Sequence, residues 1–221
     1  VFFNYCAEKK YIKKNPVDKL NFVKAKRKMK NEITDQEFKE LIKVINVTIY
    51  SEYRDYVVIN LIFDTGMRLR KTLNLKLENI DIESKTILIP AEINKGKKDR
   101  YVFFSNTMAT ELRKWIQYKD RYSKSDYLFP TKGGNIITAS GFGRNFRMYL
   151  NKASITKQIT AHCLRINFAK RFLLSGGDIF MLSKILGNSS VTVTEQAYLD
   201  VTMTDIRKSY FKFSPLENMK E

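Results

Sequence analysis

The sequence predicts an α+β fold, mostly α-helical with a small antiparallel β-sheet. Helical spacing recurs along most of the chain behind capping residues, as in Thr34-Asp35-Gln36-Glu37 followed by Phe38, Leu41, Ile42 and Ile45. Residues 79–104 hold three short strand-like runs separated by polar turns. With 221 residues, 43% hydrophobic and 29% charged, the chain can bury one full core, which excludes a low-complexity disordered polymer. The length suits one globular domain with a fragment of a second.

Residues 1–14 read as a helix with Phe2, Phe3 and Tyr5 near its start, ended by Asn15-Pro16 because the residue before a proline avoids the helical region. Residues 24–30, KAKRKMK, are basic at five of seven positions without apolar period, so they read as a linker. The capping box at Thr34 opens the main domain. A second helix spans about 51–64, with Tyr53, Val57, Asn60 and Leu61 on one face, and closes at Gly66. After a short helical turn through Leu73 come strands at 79–82, 86–89 and 100–104, the last two joined by the polar turn Asn94-Lys95-Gly96-Lys97. Ser105 caps a helix to about residue 122, and 127–130 is a short extended segment. Helices follow at about 139–153, 161–174, 178–186 and 190–197, punctuated by Gly176-Gly177 and Gly187, with another near 203–211. The chain shows no internal repeat.

Forty Lys and Arg against 23 Asp and Glu give a net charge of +17. Such a surface suits a polyanion, because Lys and Arg displace counterions from phosphate, and double-stranded DNA is the expected partner; a solvated basic surface is the bland alternative. No apolar run approaches the roughly 18 residues of a membrane span, so no membrane is expected. Cys6 and Cys163 are too few and too distant for a disulfide scaffold, which favours a reducing, cytoplasmic setting. With His162 the single histidine, a metal site is hard to assemble, and neither a metal nor another cofactor is expected. The first residue is Val1, so the numbering is expected to start inside a longer protein.

Two segments stand out: Thr65-Gly66-Met67-Arg68 and Ala161-His162-Cys163-Leu164-Arg165. His162 and Arg165 are three apart and share a helix face. Thr160 could cap that helix, whose N-terminal amides together with an arginine suit a phosphate. Taken singly, Arg68 reads more readily as an exposed cation or a helix C-cap partner, and His162 as a hydrogen-bonded core histidine, than as catalytic groups. Cys163 has no protease-like partner and reads as a small core residue.

These segments, then Lys95, Leu186-Gly187-Asn188-Ser189-Ser190 and Thr194-Glu195-Gln196-Ala197-Tyr198, form an ordered series. It resembles the catalytic domain of the tyrosine recombinases, also called the phage integrase family, over about residues 33–201. The resemblance implies the DNA breaking-rejoining enzyme fold. It also implies domains at 1–20 (the end of a truncated core-binding domain), 21–33 (basic linker), 34–201 (catalytic) and 202–221 (a tail exchanged between protomers or docked on its own domain). Three departures matter: Asn188 stands where the family usually has His or Trp, Lys71 where an acidic residue is common, and Ile166 where His is frequent. Asn188 lacks a ring donor but keeps an amide that can donate to a phosphate oxygen.

The resemblance implies Arg68, Lys95, His162, Arg165, Asn188 and Tyr198 as catalytic. Arg68 and Arg165 would hold the charge that builds on the non-bridging oxygens, being always ionised and able to bind two oxygens at once. His162 would hydrogen-bond the phosphate and take the nucleophile's proton. Tyr198 would be that nucleophile, giving a 3′-phosphotyrosyl link, and Lys95 would protonate the leaving 5′-oxygen. Lys97, Lys98, Arg100, Arg144 and Arg147 are candidates to hold the duplex backbone, or are equally part of a solvated face. The implied activity is site-specific DNA recombination for a phage or mobile element by transesterification, with four protomers on paired DNA and room for accessory DNA-bending proteins. Two alternatives share the fold: a DNA-binding module weakened by Asn188 and Lys71, and a topoisomerase-like strand-relaxing enzyme.

Overall fold

The computed structural model describes residues 2–18, 20, 31–91, 99–188, 190–198, 210 and 219, except the side chains of 193 and 196–198. Residues 21–30 of the linker expected at 21–33, Lys95, Lys97, Lys98 and, apart from Tyr210, the helix expected near 203–211 lie outside the described residues.

Helix α1 (Phe2–Glu8) is shorter than the 14 residues expected and buries no residue. So short a helix without a packed face has little to sustain it, and the chain leaves it through Lys10 at φ +58°. Helix α2 (Asp35–Lys43) starts as the sequence dictates: Thr34 Oγ1 accepts from the Glu37 amide at 3.1 Å and Glu37 returns the bond to the Thr34 amide at 2.8 Å. Lys157 binds the same carboxylate and holds Glu37 below the ordinary carboxylate range.

Helix α3 (Tyr50–Thr65) is the central element and is buried on more than the one face its periodicity suggested. Val57, Val58, Ile59, Leu61 and Ile62 are all fully covered. Asn60, expected on the buried face, is half-buried and donates to the Tyr56 carbonyl at 2.8 Å. A charged pair accompanies them: Arg54 donates through Nε and Nη2 to Asp55 Oδ1 at 3.0 and 2.8 Å. The other Asp55 oxygen accepts from Asn145 at 2.7 Å and Tyr149 at 3.1 Å, so no lone buried charge remains. Burial raises the Asp55 pKa, with Arg54 opposing. Short helix α4 (Leu69–Leu73) follows, then strands β1 (Ile80–Asp81), β2 (Thr86–Ile89) and β3 (Arg100–Phe103).

The sheet has order β1-β2-β3 and is antiparallel throughout, with Ile87 opposite Val102 and Ile89 opposite Arg100. Ile87, Ile89 and Val102 turn inward while Tyr101 and Phe103 face out, the two-residue alternation of a half-covered sheet. Helix α5 (Asn106–Lys119) begins where Ser105 Oγ accepts from the Met108 amide at 3.2 Å. Its Trp115 packs against Tyr50, Tyr53 and Phe129 and donates Nε1–H to the Leu128 carbonyl at 2.8 Å. The expected extended segment is present only as isolated bridges, Lys76 to Tyr127 and Pro130 to Ile136.

Helices α6 (Ala139–Lys152), α7 (Ala161–Leu174), α8 (Ile179–Leu186) and α9 (Val191–Tyr198) complete the fold. One large apolar core runs from Ile33 to Leu164; a smaller cluster of Ile166, Ala169, Leu182 and Leu186 joins α7 to α8. By clamping these two helices together, the smaller cluster fixes where the C-terminal end of α8 points. Among the described residues no helix is long and apolar enough to cross a membrane.

Candidate active site

The site is built where α3 and α8 end. At the end of α3, Thr65 Oγ1 donates to the Leu61 carbonyl at 2.6 Å and accepts from the Met67 amide at 3.3 Å. Gly66 then takes the left-handed conformation at φ +66° as the C-cap. A Cβ there would lie 2.4 Å from the Phe168 ring and 2.8 Å from Leu186, so both backbone and space demand glycine. The turn buries Met67 and leaves Arg68 exposed as the N-cap residue of α4.

Arg165, on α7, is only 2% exposed. A buried guanidinium is costly unless its N–H groups find acceptors. They do: Nη1 donates to the Gly66 carbonyl at 2.5 Å, and Nη2 to the Leu186 carbonyl at 3.0 Å and to Asn188 Oδ1 at 3.3 Å. Both carbonyls sit at helix C-termini, of α3 and α8, where the peptide dipoles leave negative partial charge. Two helix ends therefore stabilise the cation that the site requires.

After α8 the chain repeats the device. Gly187 is left-handed at φ +61°, and the Asn188 amide donates back to the Ser183 carbonyl at 3.1 Å. The Asn188 side chain is thus delivered between two arginines: its Oδ1 accepts from Arg68 Nη2 and Arg165 Nη2, both at 3.3 Å. Its Nδ2 donates to Thr194 Oγ1 at 3.0 Å, and Thr194 is fully buried on α9. Guanidinium groups only donate, so they decide which way this amide faces. The Asn188 oxygen thus faces the two cations, and its amide nitrogen faces Thr194. Helix α9 ends at Tyr198, four residues past Thr194, with the Tyr198 side chain outside the described residues.

Two further cations join the cluster. Arg100, at the start of β3, is half-buried and donates Nη1 to the Ile185 carbonyl at 3.0 Å, while its Nε has no partner among the described residues. Burial pushes Arg100 down to about 10, assisted by the charges of Arg165 and Arg68. Lys71, one turn along α4, is also lowered, first by burial and then by Arg100 and Arg68. The sequence marked Lys71 as a departure and Arg100 as a candidate duplex contact; that Arg100 comes up to the arginine pair and to Lys71 could not be read from spacing, because β3 is far from α4 and α8 along the chain.

His162 lies exposed at the start of α7, on the helix that carries Arg165. Thr160 occupies the N-cap position, and its amide donates to Cys163 Sγ at 3.4 Å. Cys163 is buried. His162 also lines a groove of about 680 Å³ between α6 and the segment before α7, with Phe146, Arg147, Leu150 and Ile159 among its walls. Arg144 and Arg147 are exposed on α6. The structure thus brings Arg68, Arg100, Arg165 and Asn188 together, sets His162 on the helix of Arg165, and leaves Arg144 and Arg147 on α6.

A family model described as the phage integrase family matches residues 31–205. The tyrosine recombinase XerC of Oceanobacillus iheyensis is 27% identical over 223 residues, 98% of this chain and 72% of that protein. XerD of Staphylococcus haemolyticus is 26% identical over 225 residues, 97% of this chain and 72% of its own length. Among solved structures, the XerA recombinase superposes with a TM-score of 0.73 at 27% identity, covering 97% of this chain and 81% of that one. The Tn1549 transposon integrase in complex with a circular intermediate DNA gives 0.76 at 18% identity, covering 95% and 75%, which is a likeness of fold.

Proposed function

This chain belongs to the phage integrase family, the tyrosine-type site-specific DNA recombinases, and on that premise we propose that it cuts and rejoins DNA of a phage or other mobile element through a 3′-phosphotyrosyl intermediate at Tyr198. The observation that carries the reading is the meeting of Arg68 and Arg165 on one acceptor atom, Asn188 Oδ1. Two guanidinium groups that share one oxygen are spaced to share a phosphate oxygen.

The Tyr198 oxygen attacks phosphorus, and the bond from phosphorus to the 5′-oxygen breaks. A free phenol has a pKa of about 10, so the attacking oxygen must shed its proton as the bond forms, and His162 receives it. Charge that gathers on the non-bridging oxygens is met by Arg68 and Arg165, already oriented and partly shielded from water. Lys95, outside the described residues, gives its proton to the leaving 5′-oxygen. The covalent ester keeps the energy of the broken linkage, so rejoining needs no nucleotide. Four protomers on paired DNA complete the exchange, with accessory bending proteins where the site requires them.

The test is a random pool of nicked duplexes whose short 5′-hydroxyl fragment is lost on cleavage. Wild-type protein is expected to yield a denaturation-resistant adduct with a subset, and Tyr198→Phe none. An adduct with Tyr198→Phe equal to wild type would remove Tyr198 as nucleophile. Tight binding without any adduct would mark a DNA-binding module, and relaxation of a plasmid lacking the selected sequence a strand-relaxing enzyme.

A further inference from the structure

Asn188 and Thr194 form a pair whose chemistry allows two arrangements. The arrangement in the structure puts Asn188 Oδ1 on Arg68 and Arg165, with Nδ2 donating to Thr194 Oγ1. In it the oxygen of a side chain occupies the place between the arginines that a phosphate oxygen would take. An amide oxygen facing the phosphate would repel it, since both are acceptors.

We propose that Thr194 is a positioning residue that lets the Asn188 amide turn over when phosphate enters, so that Nδ2 donates to the phosphate and Oδ1 accepts from the Thr194 hydroxyl. A hydroxyl both donates and accepts, and its hydrogen rotates freely, so the bond between Asn188 and Thr194 survives with its direction reversed. The arginines lose the amide oxygen and gain phosphate oxygens, which are stronger partners for a guanidinium. With Nδ2 donating to it, the Thr194 hydroxyl spends its own hydrogen on a long bond of 3.5 Å to the Ser190 carbonyl; the turnover moves that hydrogen to Asn188 Oδ1, and the complete burial of Thr194 keeps the pivot in place. The free pocket thereby carries its own weak stand-in for substrate, held by two long bonds of 3.3 Å, which keeps the two cations aligned before DNA arrives. A ring such as His or Trp at this position has no amide to turn over, so the device belongs to the asparagine.

The inference rests on the phosphate-pocket reading of Arg68 and Arg165, and its test has one arm that needs no DNA. Inorganic phosphate is titrated into the full chain while the Asn188 side-chain amide, assigned by its loss in Asn188→Leu, and the Arg68 and Arg165 Nε–H signals are followed by NMR. All three are expected to move together and saturate. Movement of the arginine signals with a stationary Asn188 amide overturns the proposal, and so does an amide that moves equally in Arg68→Ala with Arg165→Ala. In the DNA arm, Thr194→Ser is expected to cleave within about 3-fold of wild type and Thr194→Val about 10-fold more slowly at saturating DNA, with unchanged affinity, because one hydrogen bond is lost in the reacting complex. Asn188→Asp, which accepts but cannot donate, is expected to cost about 100-fold. The Thr194→Val loss should vanish in an Asn188→Leu background, since the hydroxyl acts only through that amide. A Thr194→Val enzyme at wild-type rate, or a loss that persists on Asn188→Leu, overturns it. If wild type forms no adduct at all, the recombinase reading fails while the NMR arm still decides the turnover.

Discussion

Arg165 has to be charged and buried at once, and the residues around it exist to permit that. Three acceptors, the carbonyls of Gly66 and Leu186 and the oxygen of Asn188, meet its N–H groups. A lysine could satisfy one of them at that distance but lacks the fork to bridge two helix ends. Arg100 repeats the theme on the neighbouring carbonyl of Ile185, so two successive carbonyls of α8 each hold an arginine. This placement leads to a prediction that separates a pocket role from a duplex contact. Arg100→Ala is expected to lower the single-turnover cleavage rate about 100-fold at saturating DNA while changing affinity less than about 3-fold, because the loss is one of alignment. A rise in the dissociation constant with an unchanged saturating rate would return Arg100 to the duplex backbone. Arg68, Arg165 and Asn188 were legible in the sequence through their blocks; the burial of Arg165 and the crowding of Lys71 were not, since burial depends on what packs over a side chain.

At the scale of elements, the site depends on how α3 and α8 stop. Each ends on a left-handed glycine, and each turn sends the next residues toward the same point. Gly187 is constrained twice, by φ +61° and by Arg100, whose Nη1 lies 2.1 Å from where a Cβ would stand. Gly187→Ala is therefore expected to destabilise the protein by about 2 kcal/mol, a melting shift of roughly 4–8 °C for a domain this size. The penalty should shrink in an Arg100→Ala background, where only the backbone strain remains; equal penalties in both backgrounds would show that the guanidinium contact contributes nothing. The helix ends were visible in the sequence as Gly66 and Gly187. Helix α1 is shorter than its periodicity suggests, since periodicity cannot reveal that, among the described residues, no partner covers its apolar face.

Across the whole molecule the net charge of +17 sets the partner and the salt dependence. At the site, Arg100 and Lys71 are lowered first by burial and then by the charges of neighbouring cations. Exposed Arg147 lines the groove that His162 shares, whereas Arg144 does not. Arg147→Gln is expected to weaken DNA binding evenly across sequences and reduce the slope of log affinity against log salt by about 0.9. An unchanged slope would place Arg147 off the duplex. By itself the sequence determined the helical fold with its small sheet, because caps, turn residues and apolar period act locally along the chain, and the ordered motif blocks carried the resemblance to the family. Only the tertiary structure decided that Gly66, Ile185 and Leu186 would give their carbonyls to arginines, that Arg100 would join them from β3, and that Asn188 would present oxygen rather than hydrogen to the cations. Those outcomes depend on which donors and acceptors are brought within 3.3 Å by packing between distant segments, and no local rule contains that distance.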